Sequence, residues 1–381
     1  MISRVAVSAR RPAFIVSVAF LLCLVSGMAG VAWAASPIAR AAAPLRGSGP
    51  FKLGPANSPG GSVAVERNGD LVVVYGINSD RTIVCLLRPG ARGCFHVTRL
   101  RPLQGDTTFG VPEVFAPSRN HVVVLQNTCC DNSASGGDLL YSSADGGRSF
   151  SAPVRIGTLG VSAATLIGRK VVFTAADDSA GPQVESVPVT ASGPPAAIAT
   201  ARRKQAFAVA IGQYKGGVLI GSDFIGTKST TTYVEYAPAG TNFNASASYR
   251  DVASFGGEHV LAMSGDALLT VQSGHNRNAV LLRIFNGRGF GPAHVVPHTR
   301  GGGPQWFTVC QDPSGRIHVF SERGLYRAYH LIEESTSTGT AWRGPADLGN
   351  AIHSAYFDAG LNGRGHGLVL GTDPAWAYPV P

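Results

Sequence analysis

The chain has 381 residues and a formal net charge of +9, with 14% charged and 44% hydrophobic residues. Its 48 glycines and 24 prolines would suit a disordered chain, but many valine-rich segments supply a hydrophobic core and exclude that class. The positive charge is not gathered into a Lys/Arg cluster with interleaved aromatic residues, so nucleic acid is not expected as a partner.

The first 34 residues predict a secretory signal peptide. Arg4, Arg10 and Arg11 form a basic start, an apolar stretch follows, and the sequence AWA at 32–34 is a small-x-small cleavage site. The alternative is an uncleaved membrane anchor, because the stretch is about long enough to span a bilayer. Removal of the leader takes three arginines away and leaves a net charge of +6.

Residues 35–48 are rich in Ala, Pro and Gly and predict a flexible linker, and residues 49–381 contain an internal repeat. In each copy a short apolar run, a turn residue and a strongly β-prone run follow one another. Successive turn residues are 48 to 51 positions apart. They are Gly69, Asn120, Gly168, Gly216, Gly265, Gly315 and Gly363.

A second marker, Gly-x-x-aromatic followed by a short strand, keeps the same period. It occurs at Gly147–Phe150, Gly240–Phe243, Gly287–Phe290 and Gly339–Trp342, and Phe95 belongs to a degenerate copy. Each repeat therefore predicts four strands, with a tight turn between the first two and the marker loop between the last two. No segment has helical periodicity.

A four-stranded sheet repeated at this period is a propeller blade, so the sequence predicts an all-β, seven-bladed β-propeller, with six blades as the alternative. The last repeat ends after about three strands. The strand that begins at Phe51, in "FKLGP", would supply its fourth strand and close the ring.

The stretch "SSADGGRSF" at 142–150 resembles the Asp-box of sialidase-like (BNR-repeat) propellers. The positions that match the box are Ser143, Asp145, Gly147, Ser149 and Phe150. A decayed copy, "STSTGTAW" at 335–342, has Ser337 in place of the aspartate. The resemblance implies a structural role for Asp145, which would accept hydrogen bonds from backbone N–H groups of its own loop.

The sialidase chemistry is not expected to accompany the fold. The early Arg-Ile-Pro motif of that family is missing, and the arginines of "RIGT" at 155–158 and "RIFN" at 283–286 lie in fourth and third strands, away from the central channel. We therefore carry over no catalytic residue from the family.

In the family, the marker loop lies on the face opposite the catalytic one. We call the face with the marker loops the turn face, and the face with the second-to-third-strand loops and the inter-blade connections the connection face. Charged residues on the connection face form the predicted working surface. They include Asp80, Arg81, Asp131, Asp177, Asp178, Asp223, Asp373, His298 and His353. The ligand-binding candidates are His275, Arg277, Arg300, Trp306, Glu322, Arg323 and Tyr326.

No metal or other cofactor is expected. Asp177 and Asp178 lack the spaced acidic pattern of a dedicated calcium loop, and the histidines are too scattered for a zinc site.

Five cysteines follow the leader, so at least one is not in an internal disulfide. Cys85 in a third strand and Cys94 at the start of a fourth are predicted to pair across a hairpin. Cys129 and Cys130 are adjacent and predict a vicinal disulfide; pairing of one of them with Cys310, several blades away, is the alternative.

These features predict a secreted or cell-surface propeller that binds a glycan or an extracellular protein on its connection face. The alternatives are a sialidase-like glycoside hydrolase and an extracytoplasmic scaffold or assembly factor. Contact with a membrane is expected only through an uncleaved leader.

Overall fold

The computed structural model describes most of the chain from Pro50 onward. The described residues are 50–54, 60–77, 81–104, 106–108, 111–128, 138–156, 161–175, 183–189, 198–200, 206–226, 230–272, 279–297, 307–322, 327–336, 339–350, 357–362, 364–371 and 375–380. The predicted leader and linker lie outside them. Within these ranges no helix is long and apolar enough to cross a membrane.

The described strands form seven four-stranded antiparallel sheets, numbered here along the chain. Sheet 1 holds β2 (Gly61–Val65), β3 (Leu71–Ile77), β4 (Arg81–Leu87) and β5 (His96–Leu100). Sheet 2 holds β6 (Glu113–Ser118), β7 (His121–Gln126), β8 (Leu139–Ser143) and β9 (Val154–Arg155). Sheet 3 holds β10 (Val161–Ile167), β11 (Lys170–Ala175), β12 (Gln183–Pro188) and β13 (Ile198–Thr200).

The remaining sheets continue the same pattern. Sheet 4 holds β14 (Ala206–Tyr214), β15 (Gly217–Ile225), β16 (Thr230–Ala237) and β17 (Arg250–Gly256). Sheet 5 holds β18 (Glu258–Ser264), β19 (Ala267–Gln272), β20 (Ala279–Ile284) and β21 (His294–Val295). Sheet 6 holds β22 (Phe307–Gln311), β23 (Ile317–Glu322), β24 (Arg327–Thr336) and β25 (Gly339–Asn350). Sheet 7 holds β1 (Phe51–Lys52), β26 (Phe357–Leu361), β27 (Gly367–Gly371) and β28 (Trp376–Val380).

The sheets follow one another around a ring, and the fold is a β-propeller. The first strand of each sheet contacts the first strand of the next, and β26 of sheet 7 contacts β2 of sheet 1. As predicted, the N-terminal strand completes the last sheet, because Phe51 pairs with Ala377 and Lys52 with Trp376.

The strands are rich in valine because each sheet buries both of its faces. In β3, Val72 and Val74 pack in a cluster shared with sheet 2, whereas Val73 and Tyr75 pack in a cluster shared with sheet 7. Successive side chains of a strand point to opposite faces, so a strand between two sheets must be apolar at nearly every position. One such cluster joins every pair of neighbouring sheets.

The innermost strands are joined across sheets by side chains. Asp358 Oδ2 accepts from the Val63 N–H at 2.7 Å, and Ser62 Oγ accepts from the Val114 N–H at 2.7 Å. These bonds satisfy backbone donors at a strand edge that has no neighbouring strand to pair with.

The turn residues predicted from the repeat lie between first and second strands. Five of them have the positive φ that glycine accommodates: Gly69 (90°), Gly168 (61°), Gly216 (79°), Gly265 (57°) and Gly315 (86°). Gly363 lies outside the described residues.

Two details of the marker prediction were wrong. Gly339 and Trp342 are not in an eight-residue loop, because β24 and β25 form a long hairpin in which Thr336 pairs with Gly339. With Ser337 in place of the aspartate, no carboxylate organises the loop there, and the Ser/Thr-rich sequence extends the strands instead. Phe95, the aromatic residue of the degenerate marker copy, is not buried between sheets, since 38% of it is exposed.

Replacing the ring-closing aromatic should destabilise the whole domain. Phe51 is buried in the cluster shared by sheets 7 and 1, so Phe51→Ala is expected to lower the free energy of unfolding by about 3–4 kcal/mol. Lys52→Ala, on the exposed side of the same strand, should change it by less than about 0.5 kcal/mol. Urea denaturation of both variants tests this; equal effects would contradict it.

Candidate functional site

Strand order fixes which loops share a face. All sheets are antiparallel and follow chain order from the inside outward, with β1 completing sheet 7. The first-to-second and third-to-fourth loops therefore lie on the turn face, and the remaining loops and connections lie on the connection face.

Most of the residues predicted to form the working surface lie outside the described residues. These are His275, Arg277, Arg300, Trp306, Arg323 and Tyr326, and also Asp80, Asp131, Asp177, Asp178, Asp373, His298 and His353. Glu322 is the last residue of β23 and thus lies at the connection face.

Asp223 is described, but it is not the exposed rim residue that the sequence suggested. It is buried, and its Oδ1 accepts from Thr232 Oγ1 at 2.7 Å and from the Val260 N–H at 3.2 Å. Its carboxylate raises the pKa of His259, whose Nδ1 lies 3.5 Å from Asp223 Oδ2. Asp223 thus links sheet 4 to sheet 5 through a hydrogen bond.

Arg81, at the start of β4, is exposed as expected.

A buried ion pair that the sequence analysis missed lies in sheet 5. Arg283 donates from Nη1 to Glu258 Oε2 at 2.8 Å and from Nη2 to Glu258 Oε1 at 2.9 Å. Thr270 Oγ1 donates to Glu258 Oε2, and the guanidinium lies 4.2 Å from the centre of the Phe255 ring. Each charge has its partner, so this cluster is a structural element. Arg283 is the arginine of "RIFN", and it lies on the third strand of sheet 5, as predicted.

Two other carboxylates at the connection end of the innermost strands are not neutralised in this way. Asp358 is the second residue of β26 and Glu113 the first of β6, on either side of β2. Both are buried. Burial raises the pKa of Asp358 to about 7 despite the backbone N–H bonds it accepts from Val63 and Ala359.

Glu113 is the less satisfied of the two. Its Oε2 is buried without a hydrogen-bond partner. Burial, and then repulsion from Asp358, raises the pKa of Glu113 well above its usual value. A buried carboxyl group with an open acceptor, beside a second acid, is the pattern of a ligand-binding or catalytic group.

The sequence carried a signal for this pair. Both acids lie at the beginning of the innermost apolar run of their repeat, Glu113 first in "EVFAPS" and Asp358 second in "FDAGL". A charged residue at a position that is otherwise apolar needs a reason, because burying it costs free energy.

The loop at 142–150, which carries Asp145, shows the opposite chemistry. Asp145 Oδ1 accepts from Ser143 Oγ (2.8 Å) and from the N–H groups of Arg148 (3.0 Å) and Ser149 (2.9 Å). Asp145 Oδ2 accepts from Ser149 Oγ at 2.5 Å. Hydrogen bonds from Ser149, Ser143 and Arg148 outweigh the cost of burial and lower the pKa of Asp145 to about 2.

The same loop joins sheet 2 to sheet 1. Thr98 Oγ1 donates to the carbonyl groups of Gly147 (3.2 Å) and Arg148 (2.9 Å), and His96 Nε2 donates to the Arg148 carbonyl (2.9 Å). Phe150 packs against the cluster that the two sheets share. Asp145 therefore orders a loop whose carbonyl groups bind the neighbouring sheet, which is a structural role.

The predicted Cys85–Cys94 disulfide is confirmed, with 5.4 Å between the two Cα atoms. Cys129 and Cys130 lie outside the described residues, so their vicinal disulfide stays a prediction. Cys310 is a buried thiol on β22.

In the described part of the chain, no group of three or more His, Cys, Asp or Glu residues is placed to hold a metal ion.

Comparisons with known proteins identify the fold alone. No family model matches the sequence, and no curated protein matches it significantly. Similar solved structures include a chain of the mitotic checkpoint complex, at a TM-score of 0.56 and 10% identity, covering 92% of this chain and 99% of that one.

Two further propellers are similar at the same level. The Cps50 (Swd1) β-propeller domain of Myceliophteria thermophila has a TM-score of 0.55 and 13% identity, covering 87% of this chain and 100% of that one. The α-L-arabinanase of Penicillium chrysogenum, complexed with arabinobiose, has a TM-score of 0.50 and 11% identity, covering 72% and 93%.

Removing the Asp145 carboxylate should loosen the contact between sheets 1 and 2. Asp145→Ala is expected to lower the free energy of unfolding by about 2 kcal/mol, because several hydrogen bonds to one charged group are lost. Ser149→Ala removes only one of these bonds and should cost about half as much or less. Urea denaturation measures both; a larger loss in Ser149→Ala than in Asp145→Ala would contradict this role.

Stability should be greatest in mildly acidic solution. Asp358, Glu66 and Glu185 have pKa values raised to about 7, against about 4 for unfolded acids. Between these values the folded state binds more protons than the unfolded state, so stability falls as pH rises from about 4 to 7. Asp145 and Asp312, with pKa values lowered to about 2, lose their contribution as pH falls below about 4.

Denaturant unfolding from pH 2 to 9 should therefore show a maximum near pH 4 to 5. Glu185 is buried on β12 with neither carboxyl oxygen hydrogen-bonded. Glu185→Met should raise the free energy of unfolding at pH 8 more than at pH 5. Stability that rises steadily up to pH 8 in the unsubstituted chain would refute this assignment.

Proposed function

We propose that this chain is an exported, seven-bladed Asp-box β-propeller that binds a glycan on its connection face. The observation that carries the proposal is the Glu113–Asp358 pair, two buried carboxyl groups at the connection end of the innermost strands on either side of β2. In the part of the chain that the structure describes, buried acids such as Glu258, Asp312 and Asp223 have charged or hydrogen-bonding partners. Glu113, Glu66 and Glu185 each keep an open acceptor atom, and of these three only Glu113 lies at the connection end of an innermost strand.

A sugar suits such a site because its hydroxyl groups donate hydrogen bonds to carboxyl oxygens. Binding sites combine a few polar groups of this kind with surrounding apolar surface. The candidates Trp306, Arg300 and Tyr326 are predicted from the sequence to lie on the same face, where they would supply aromatic and cationic contacts. The similar arabinanase structure holds a disaccharide, which supports a sugar as a ligand for this fold.

Glycoside hydrolysis is the second candidate, favoured by the same two carboxyl groups. Such enzymes need one protonated acid and one ionised carboxylate. Here both pKa values are raised, by burial and by like charge, and neither shift has a cation among its causes that would keep one group ionised. This arrangement favours binding over hydrolysis.

The Asp-box family and the export route belong to the same proposal. The Asp145 loop supports the family assignment, because each polar member of the box takes part in its hydrogen-bond network. The leader at 1–34 and the Cys85–Cys94 disulfide support export, since disulfides persist in oxidising compartments. The protein would then act at the cell surface or outside the cell.

A glycan array, run together with a panel of fluorogenic glycosides, tests the proposal. Glu113→Met keeps the side-chain volume and removes the acceptor, and it should weaken binding of the glycan found on the array about tenfold. Glu185→Met is the matched control, because Glu185 is equally buried but lies on a third strand of sheet 3. It should bind as the unsubstituted chain does.

Each alternative has its own outcome. Turnover of a glycoside that Glu113→Met and Asp358→Asn both abolish would establish the hydrolase. Equal loss of binding in Glu113→Met and Glu185→Met would show that the loss is not specific to the Glu113–Asp358 pair and would contradict this site. Binding to no glycan on the array would overturn the glycan assignment and leave a protein ligand or a scaffold role.

A further inference from the structure

A cleft lies on the turn face, between sheets 1 and 2, and has no part in the proposed glycan site. Its volume is about 80 Å³. Glu66 and Asp70, from the turn between β2 and β3, line it on the side of sheet 1. Arg119 and Arg148, from the turn after β6 and from the Asp-box loop, line it on the side of sheet 2.

The acidic side is held in place. Asp70 and Asn68 bond to each other twice, from Asn68 Nδ2 to Asp70 Oδ2 and from the Asp70 N–H to Asn68 Oδ1, both at 2.9 Å. The Glu66 N–H donates to the Asp70 carbonyl at 2.8 Å. Glu66 itself is only 6% exposed, and its Oε1 has no hydrogen-bond partner.

The basic side is also anchored. Arg148 Nη1 donates to the Asp145 carbonyl at 2.8 Å, which fixes the guanidinium to the Asp-box loop. The Gly146 N–H donates to the Asn120 carbonyl at 2.8 Å and ties that loop to the turn that carries Arg119. Both arginine side chains are exposed.

The two sides do not neutralise each other. The pKa of Glu66 is raised to about 7 by burial and by the charge of Asp70, although Arg148 and Arg119 act against the shift. An ammonium group beside Glu66 and Asp70 would supply the missing positive charge. A carboxylate beside the arginines would suit their planar donors.

We propose that this cleft binds a small zwitterion of the amino-acid class, with its ammonium group toward Glu66 and Asp70 and its carboxylate toward Arg119 and Arg148. Leu86 and Phe95 line the cleft as well, and Phe95 is 38% exposed. They give an apolar contact to a side chain of the ligand.

Calorimetric titration of the full chain with alanine, and with its single-charge analogues propionate and propylamine, tests the proposal. Alanine should bind at least tenfold more tightly than either analogue, because each analogue leaves one pair of charges without a partner. Glycine, β-alanine and 4-aminobutyrate then measure the separation of charges that the cleft prefers.

Arg119→Gln and Arg148→Gln should each weaken alanine binding about threefold to tenfold. Arg67→Gln is the matched control: Arg67 is an exposed arginine on the turn that carries Glu66, but it does not line the cleft. It should leave the affinity unchanged. Propionate binding as tightly as alanine would overturn the proposal in favour of a plain anion site, and absence of binding by every zwitterion would overturn it outright.

Discussion

The burial of both faces of every sheet is the constraint on which this structure depends. A four-stranded sheet with apolar residues on both faces has no stable existence alone, so each sheet needs a neighbour on either side. A ring satisfies this need without leaving an uncovered face at either end. In the described residues, seven apolar clusters each join two neighbouring sheets, and the one that contains Phe51 joins the last sheet to the first.

The same packing separates the acidic residues into two kinds. Asp145 and Asp312 lie in turn-face loops, where N–H and O–H groups of their own loop bond to them and keep them ionised. Glu113 and Asp358 lie where strands converge on the axis, and the surroundings there favour their neutral forms. The first kind shapes loops, and the second kind is the pair from which the glycan site is proposed. The turn-face cleft is a third arrangement, in which opposite charges face each other without pairing.

Much of the fold was predictable because the repeat has a simple physical origin. A tight turn needs residues that tolerate unusual backbone angles, and a doubly buried strand needs apolar residues, so both recur at the period of the sheet. The Cys85–Cys94 pairing followed from the same register. The prediction was wrong at Gly339, where a similar spacing of glycine and aromatic lies within a plain hairpin, because the spacing alone does not show whether a carboxylate is present to order the loop.

The candidate sites were harder to predict. Glu113 and Asp358 are 245 positions apart in the sequence, and only ring closure brings their strands to either side of β2. Asp223 has a typical rim position in the sequence, yet it is buried, and Val260 on β18 of the neighbouring sheet donates a backbone N–H to it. Sequence position assigns a residue to a face, but it does not say whether the side chain finds a partner inside the protein.

The pairing of β1 with β28 also constrains the order of folding. β1 lies near the start of the described residues and pairs with β28 near their end, so the ring cannot be completed before β28 has been synthesised. Contacts between such distant positions form slowly, because a long loop must close before they are gained. Until then sheets 1 and 7 each present an uncovered apolar face, and this interval is when the chain is most exposed to aggregation and proteolysis.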